Sequence, residues 1–506
     1  MPQRLTSIYI ALLLTVFLLA VPLNGGYTVI AEFKHSIFII ICGGYVLSII
    51  VLRVMYVITG TQPVGDIRKK INGIPLAAKF MLGYLLFTIL SAALSTYPGT
   101  LSGYFRQEGA LTISLYVLSS FFISVYFRPQ KWMLFLLGTV MIPVVILAVV
   151  QLTGANPFTL YPCGHNFYGS GVYYTGQFIS TIGNTTLVAA FVCLTAGVLA
   201  MTIIKLDFWE RWLLAIPLFL VLLLIFEMGV DAAFIALFAG FALMLPVAVT
   251  SQKTLADTLI VLALVMTAFV FSHIFIFSDG YFRMAPVRLA YAAMAGFMYL
   301  LALLVSMLGA FAKIPAKWYR VGSAAVVLGG IGFALIYLWL YNGEPAGMAY
   351  EAAQILRGRW EDDFGTRRVF IWRNVLEGIN RNTLLFGTGP DTLGHWDIPY
   401  FYRVDDAGRI FITNIDAAHN ELLHILATGG LLSFLAYFCA IIIAMVNWYR
   451  RPANTLSAIA GAGVLLYIIQ GFFGISQFIT APFFWGCLGV LLGSVHISIN
   501  TGAQAV

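Results

Sequence analysis

Apolar residues run along this chain in blocks of about twenty, separated by short polar stretches, from the first residues to the last. A block of roughly 20 apolar residues is what a helix needs to cross the hydrocarbon core of a bilayer. The pattern predicts helices at 7–23, 36–58, 76–94, 111–127, 132–152, 184–204, 211–227, 231–249, 257–277, 288–311, 320–340, 419–446, 455–474 and 480–498. The pair over 211–249 has a hinge of only a few residues. The expected fold is an all-α integral membrane protein with about fourteen transmembrane helices. Residues 1–340 form a bundle of about eleven helices, and 341–418 a large, partly helical loop between helices 11 and 12. Residues 419–506 supply the last three helices and a C-terminal tail. The first block follows Arg4 without a small-x-small cleavage site, so it reads as an uncleaved anchor.

Composition agrees with that pattern. Hydrophobic residues make up 61% of the 506 and charged residues 10%, where soluble domains carry about 25% charged residues. With the N-terminus inside, sixteen basic residues fall on inner segments, among them Arg68, Lys69 and Lys70. The short outer loops hold Lys34, Arg106, Arg283 and Arg288, and the remaining eight, all arginine, lie in 341–418. Cytoplasmic loops collect Lys and Arg, so both termini are expected in the cytoplasm and the large loop outside, most simply across a bacterial plasma membrane. The net charge of +7 then reflects orientation, not nucleic-acid binding. Of Cys42, Cys163, Cys193, Cys439 and Cys487, only Cys163 falls in an outer loop, which argues against a disulfide framework. The stretch Gly387-Thr388-Gly389-Pro390 lacks the lysine of a phosphate-binding loop and reads as a tight turn. No nucleotide cofactor is expected.

Three outer segments carry candidate chemistry. Ser95 to Gly109 ends in Tyr104-Phe105-Arg106-Gln107-Glu108-Gly109. Thr153 to Asn184 has no charged residue and includes Tyr161, Tyr168, Tyr173 and Tyr174, mostly read as an interfacial belt. The 341–418 loop balances eleven acidic against eight basic residues, as a folded cap would. Within it Val369, Trp372, Leu376 and Ile379 mark a helix face, with Asp363 or Thr366 as its cap. Arg368 and Trp372, four apart, share a face; a guanidinium fork beside an aromatic ring suits a phosphate-bearing sugar, though a surface Arg over a core Trp has the same spacing. If Asp416 caps the helix beginning near 419, His419 sits in its first turn, where the dipole disfavours imidazolium and keeps a general base neutral. A polar cap at the membrane interface is the bland alternative. His419 and His424 are five apart, roughly 140° around a helix, and do not suit a metal. Glu227 and Asp231 lie at the outer end of paired spans, as functional groups or as markers of the water boundary.

Taken together, four short motifs resemble the O-antigen ligase and polymerase superfamily over roughly residues 95–450. They are Arg106 to Gly109, Ile182-Gly183-Asn184, Arg368 to Trp372 followed by Leu385 to Pro390, and Ala418-His419-Asn420. The resemblance implies a GT-C-like helical bundle that transfers a glycan from a polyprenyl-pyrophosphate carrier to an acceptor hydroxyl on a glycan, lipid or protein, with inversion and with neither metal nor nucleotide. It implies His419 as the base, Arg368 as leading phosphate ligand, and Arg367, Arg106, Trp372, Asn420, Glu421 and Asn184 as further substrate contacts, with Asp416 orienting His419. The chain departs from the family where a Ser-Arg pair follows a mid-chain span; here Met228-Gly229-Val230-Asp231-Ala232 stands, without arginine. Either Arg106, Arg283, Arg288 or Arg367 replaces that ligand, or the protein uses a different donor or is inactive. A flippase for lipid-linked oligosaccharides is the alternative reading, although neither paired halves nor midplane charges are evident. A peptidoglycan polymerase of the shape, elongation and division type fits less well, because of the Ala-His-Asn motif.

Overall fold

Each apolar block is helical in the computed structural model, which describes residues 1–60, 73–168, 176–278, 281–308, 313–404, 410–452 and 454–500. Arg68, Lys69, Lys70, Tyr173 and Tyr174 lie outside the described residues. The chain opens with α1 (Pro2–Phe17), α2 (Gly26–Ile58), α3 (Leu76–Leu94), α4 (Ala110–Tyr126) and α5 (Lys131–Leu152). It continues with α6 (Thr185–Lys205), α7 (Trp209–Met228), α8 (Asp231–Ala248), α9 (Gln252–Ile274), α10 (Leu289–Met307) and α11 (Ala316–Trp339). The polar stretch holds α12 (Gly347–Leu356) and α13 (Phe364–Gly378). Last come α14 (Glu421–Arg450), α15 (Thr455–Gly471) and α16 (Ala481–Asn500). Among the described residues ten helices are long and apolar enough to cross a bilayer, and α1, α4, α15 and α16 are apolar but shorter. The chain is a multi-pass membrane protein.

Burial sorts these helices. Every side chain of α6 from Leu187 to Ile204 is buried, so a helix apolar all round sits at the centre of the bundle. α15 lies along α6, α14 along α3, and α16 along α4. α11, by contrast, buries only 6% of its apolar window and α10 17%. An apolar surface that large and uncovered is stable against lipid, not against water. Gly229, in the left-handed conformation, ends α7, so the short hinge over 211–249 separates two helices. α9 stops at Ile274, where Phe275–Ser278 pairs with Tyr281–Met284 in an antiparallel hairpin; the block predicted to reach 277 is helical only to that point.

The polar stretch builds a small core of its own from Ile371, Val375, Leu393, Ile415, Ala418 and Ala427. Trp372 and Ile379 of the predicted α13 face pack against this core, but the predicted face is not the whole of the buried one. Val369 is buried, but its inward neighbours are Ile371 and Val375, and Leu376 is 56% exposed. A left-handed turn at Gly365, Thr366 and Arg367 precedes the regular helix, and Asp363 makes no side-chain cap bond there.

The polar stretch is also stitched into α14. Gly430 (φ 78°, ψ 176°) breaks that helix, and Leu384 to Gly389 bond to the freed backbone. Leu431 N–H donates to Leu384 O at 2.8 Å and Gly389 N–H to Thr428 O at 2.8 Å. A broken helix survives in a membrane when its freed groups are met by protein. The backbones approach so closely that a Cβ on Gly387 would collide with the Thr428 carbonyl, and one on Gly430 with Gly387 N and Leu385 O. Gly387→Ala is therefore expected to lower stability by about 3 kcal/mol or more, combining overlap with left-handed strain. Gly329→Ala on α11, where a Cβ meets open space, is the control and should leave the melting midpoint of purified protein nearly unchanged.

Candidate functional site

The loop between α3 and α4 is stapled to the polar stretch. The Asp391 carboxylate accepts the backbone N–H groups of Phe105 at 2.9 Å and Arg106 at 2.8 Å. Ser95 Oγ donates to the Thr388 carbonyl. With its backbone fixed, Arg106 extends to Asp416, Nη2 to Oδ1 2.6 Å. Its Nε is buried without a partner among the described residues.

Asp416 is thus an ion-pair partner and not a helix cap, which corrects the sequence expectation. Asn420 caps α14, its Oδ1 accepting the Leu423 N–H at 3.0 Å. Both residue types cap well, but the carboxylate is drawn to the guanidinium and the neutral amide remains for the helix. His419 therefore precedes the helix, in a left-handed conformation (φ 48°). Non-glycine residues held there carry strain that gathers at functional sites. Gln107, Thr366, Arg367 and Asp391 share this conformation.

The imidazole of His419 is driven down to about 3, first by burial, then by the charges of Arg106 and Arg368, with Asp416 opposing. It is neutral at pH 7, and burial is the main cause, where the sequence pointed to the helix dipole. The charges that act on it belong to Arg106, Arg368 and Asp416, residues far apart in sequence, of which Arg106 and Asp416 are joined as an ion pair.

Arg368 donates from Nε to Phe473 O at 2.9 Å and from Nη1 to Gly365 O at 2.7 Å. Nη2 has no hydrogen-bond partner among the described residues. Burial lowers the pKa of Arg368, and the Asp231 and Glu351 charges act against it. Asp231, at the position where the resemblance led one to expect an arginine, is thus near enough for its charge to act on Arg368. The expected Arg368–Trp372 pair is indirect: the indole packs on Phe472 (5.9 Å between centroids) and Phe473 (6.4 Å), whose carbonyl holds the guanidinium. Arg367 pairs with exposed Asp363 at 3.2 Å. Of the four arginines considered as replacement ligands, Arg106 is the one placed beside His419. Arg288 lies over Tyr291 at 5.8 Å, and Arg283 is in the hairpin after α9. Asn184 caps α6 by accepting the Thr186 N–H at 2.9 Å, which occupies its side chain.

Beneath Arg106 a cavity of about 50 Å³ is lined by Glu108, Asp391, Glu421 and His424, with Tyr84 and Trp485 among the rings around them. It is lined by His424 and not by His419. Glu108 accepts the Tyr116 hydroxyl at 2.6 Å, and Glu421 accepts that of Tyr437 at 2.7 Å. Burial, with added repulsion from Asp391 and Glu421, pushes Glu108 up to about 8, so this carboxyl is largely protonated at neutral pH. The cavity wall is mostly apolar, with a few ionisable side chains set into it, and it is large enough for a few waters. Sequence reasoning missed Glu108, Asp391 and His424 as site residues. Their one signal was a carboxylate or histidine beside a motif already singled out. Among the described residues no three His, Cys, Asp or Glu side chains converge as they would on a metal ion.

Compared with known proteins, the chain matches no family model and no curated sequence.

Proposed function

We propose that this protein is a membrane glycosyltransferase of the O-antigen ligase and polymerase kind, moving a glycan from a polyprenyl-pyrophosphate carrier to an acceptor hydroxyl. On this reading about fourteen helices cross a bacterial plasma membrane, both termini are cytoplasmic, and residues 341–418 lie outside. One observation carries the reading: a neutral, strained, half-buried His419 flanked by Arg106 and Arg368 where the polar stretch meets α14.

Two guanidiniums near a neutral base suit a hydroxyl nucleophile and a diphosphate that is dianionic in the donor and gains a further negative charge as it leaves. The acceptor oxygen attacks the anomeric carbon, and the bond from that carbon to the pyrophosphate oxygen breaks, its electron pair leaving with the pyrophosphate. The hydroxyl proton passes to an imidazole nitrogen of His419. Nη2 of Arg368 meets the charge growing on the leaving oxygen. Such fixed donors stabilise developing charge without reorganising at the moment of reaction. Arg106, already paired with Asp416, contributes to the field and to the position of His419 more than to phosphate binding.

The test is reconstitution of the purified chain in liposomes carrying a polyprenyl-pyrophosphate-linked glycan and an acceptor, with no nucleotide added. Polyprenyl pyrophosphate should be released in proportion to a larger glycan product. Donor that crosses between leaflets with its glycosidic bond intact would replace this reading with a flippase.

A further inference from the structure

Next to Arg106 stands an aromatic cluster that the transfer chemistry does not use. His395 lies at its centre. Tyr97 stacks on it at 5.4 Å and 7°, Tyr104 tilts against it at 4.9 Å, and Phe105 meets it edge-on at 4.8 Å. Tyr104 is 62% exposed and Phe105 38%. Large rings left this open on a loop call for an explanation.

The cluster is built firmly. The Phe105 N–H is held by the same Asp391 oxygen that holds Arg106. The Phe105 ring lies so close over Gly394 that a Cβ there would come within 2.7 Å of it. The Tyr97 N–H is fixed by Ser95 Oγ at 3.1 Å. Tyr104 and Phe105 also brace each other edge to face at 4.8 Å. The result is a preformed apolar surface continuous with the residue that flanks His419.

A polar atom sits inside it. Nε2 of His395 is buried and, among the described residues, has no hydrogen-bond partner. Lipid chains offer such an atom nothing, whereas a sugar offers hydroxyls at the edge of an apolar C–H face. Apolar rings with a few convergent polar groups are the usual make-up of a small-ligand site.

We infer that Tyr97, Tyr104, Phe105 and His395 form a stacking platform for a pyranose ring of the acceptor glycan. The assignment to acceptor over donor rests on the transferase reading: Arg106, beside the platform, has its charge met by Asp416, while Arg368, on other elements, keeps Nη2 for phosphate. Sugar binding itself does not depend on that reading. The platform grips the acceptor one or more rings from its reacting hydroxyl, so it acts on acceptor KM and leaves the chemical step alone.

The experiment uses the full chain in lipid nanodiscs with cellobiose as probe, read by saturation-transfer NMR against empty nanodiscs. Wild type should bind weakly, in the millimolar range, with saturation passing mainly to ring C–H protons. Tyr104→Ala should weaken binding about tenfold, and Tyr104→Trp should retain it, with melting midpoints unchanged. No saturation above empty nanodiscs, or equal binding by Tyr104→Ala, overturns the platform. A lowered melting midpoint with binding intact also overturns it and makes the cluster an interfacial belt. In the reconstituted transfer assay, Tyr104→Ala should raise the KM for acceptor and leave that for donor unchanged; a raised donor KM overturns the acceptor assignment. Because cellobiose binding needs no turnover, a chain that binds the sugar but transfers nothing would refute the proposed function and leave the platform standing.

Discussion

Replacing His419 with asparagine should lower glycan transfer by about 10²- to 10⁴-fold, the usual contribution of a positioned base. Asparagine tolerates the left-handed backbone of this position better than alanine does, so the loss reports chemistry and not strain. The measurement is turnover of purified, folded variant against wild type at saturating donor, with lipid-linked donor and product resolved by size. Unchanged product would make His419 a structural residue and end the base assignment. Its pH dependence carries a second signature. In the ligand-free protein, burial and then the two guanidiniums hold the imidazole at about 3. A bound pyrophosphate offsets those positive charges, so the pKa must rise in the donor complex. Activity falls as pH drops through the pKa, because the base is then already protonated. The acid limb of kcat, which reports the complex, should therefore lie at higher pH than that of kcat/KM measured for free enzyme and donor.

Arg368→Ala is expected to reduce kcat by about 10²- to 10³-fold, as removal of one donor to a developing anion does elsewhere. Arg368→Lys should recover only part of the loss. The guanidinium of Arg368 bonds two carbonyls, Phe473 O and Gly365 O, and still presents Nη2. An ammonium on a flexible stem is a point charge that cannot reproduce this planar fork. Donor KM and kcat, measured separately, tell the roles apart. A fall in kcat with donor KM unchanged means that the contact forms in the transition state. A rise in KM alone would place Arg368 in ground-state binding.

Much of the fold was legible because a bilayer imposes a long, uninterrupted apolar period that few other constraints imitate. Boundaries moved where a local device intervened, as with the hairpin that takes over from α9 at Phe275. His419, Arg106, Arg368 and Asp416 were each visible as polar residues in short motifs, but their meeting was not. Arg106 and Asp416 are 310 residues apart, and no periodicity links them. The sequence pointed to Asp416 as the cap; aspartate and asparagine cap about equally well, and only the arriving arginine leaves the role to Asn420. The face of α13 was legible only in part, for a related reason: Val369 is buried and Trp372 and Ile379 pack on the core, but Leu376 does not. A spacing of three and four fits more than one stripe, and Ile371 and Val375 won because Ala418 and Ala427 were there to receive them. Phe473, which holds Arg368 through its carbonyl, carries no side-chain signal for that role.

The break at Gly430 bears on how the protein is made. α14 cannot complete its hydrogen bonding with its own residues, since part of the ladder belongs to Leu384, Leu385 and Gly389. Those residues leave the ribosome before α14 does. The helix therefore packs against a stretch of backbone made before it, and the hydrogen bonding around Gly430 is complete only once the two have met. Docking of α14 on the polar stretch and closure of the break near His419 are thus coupled steps of folding.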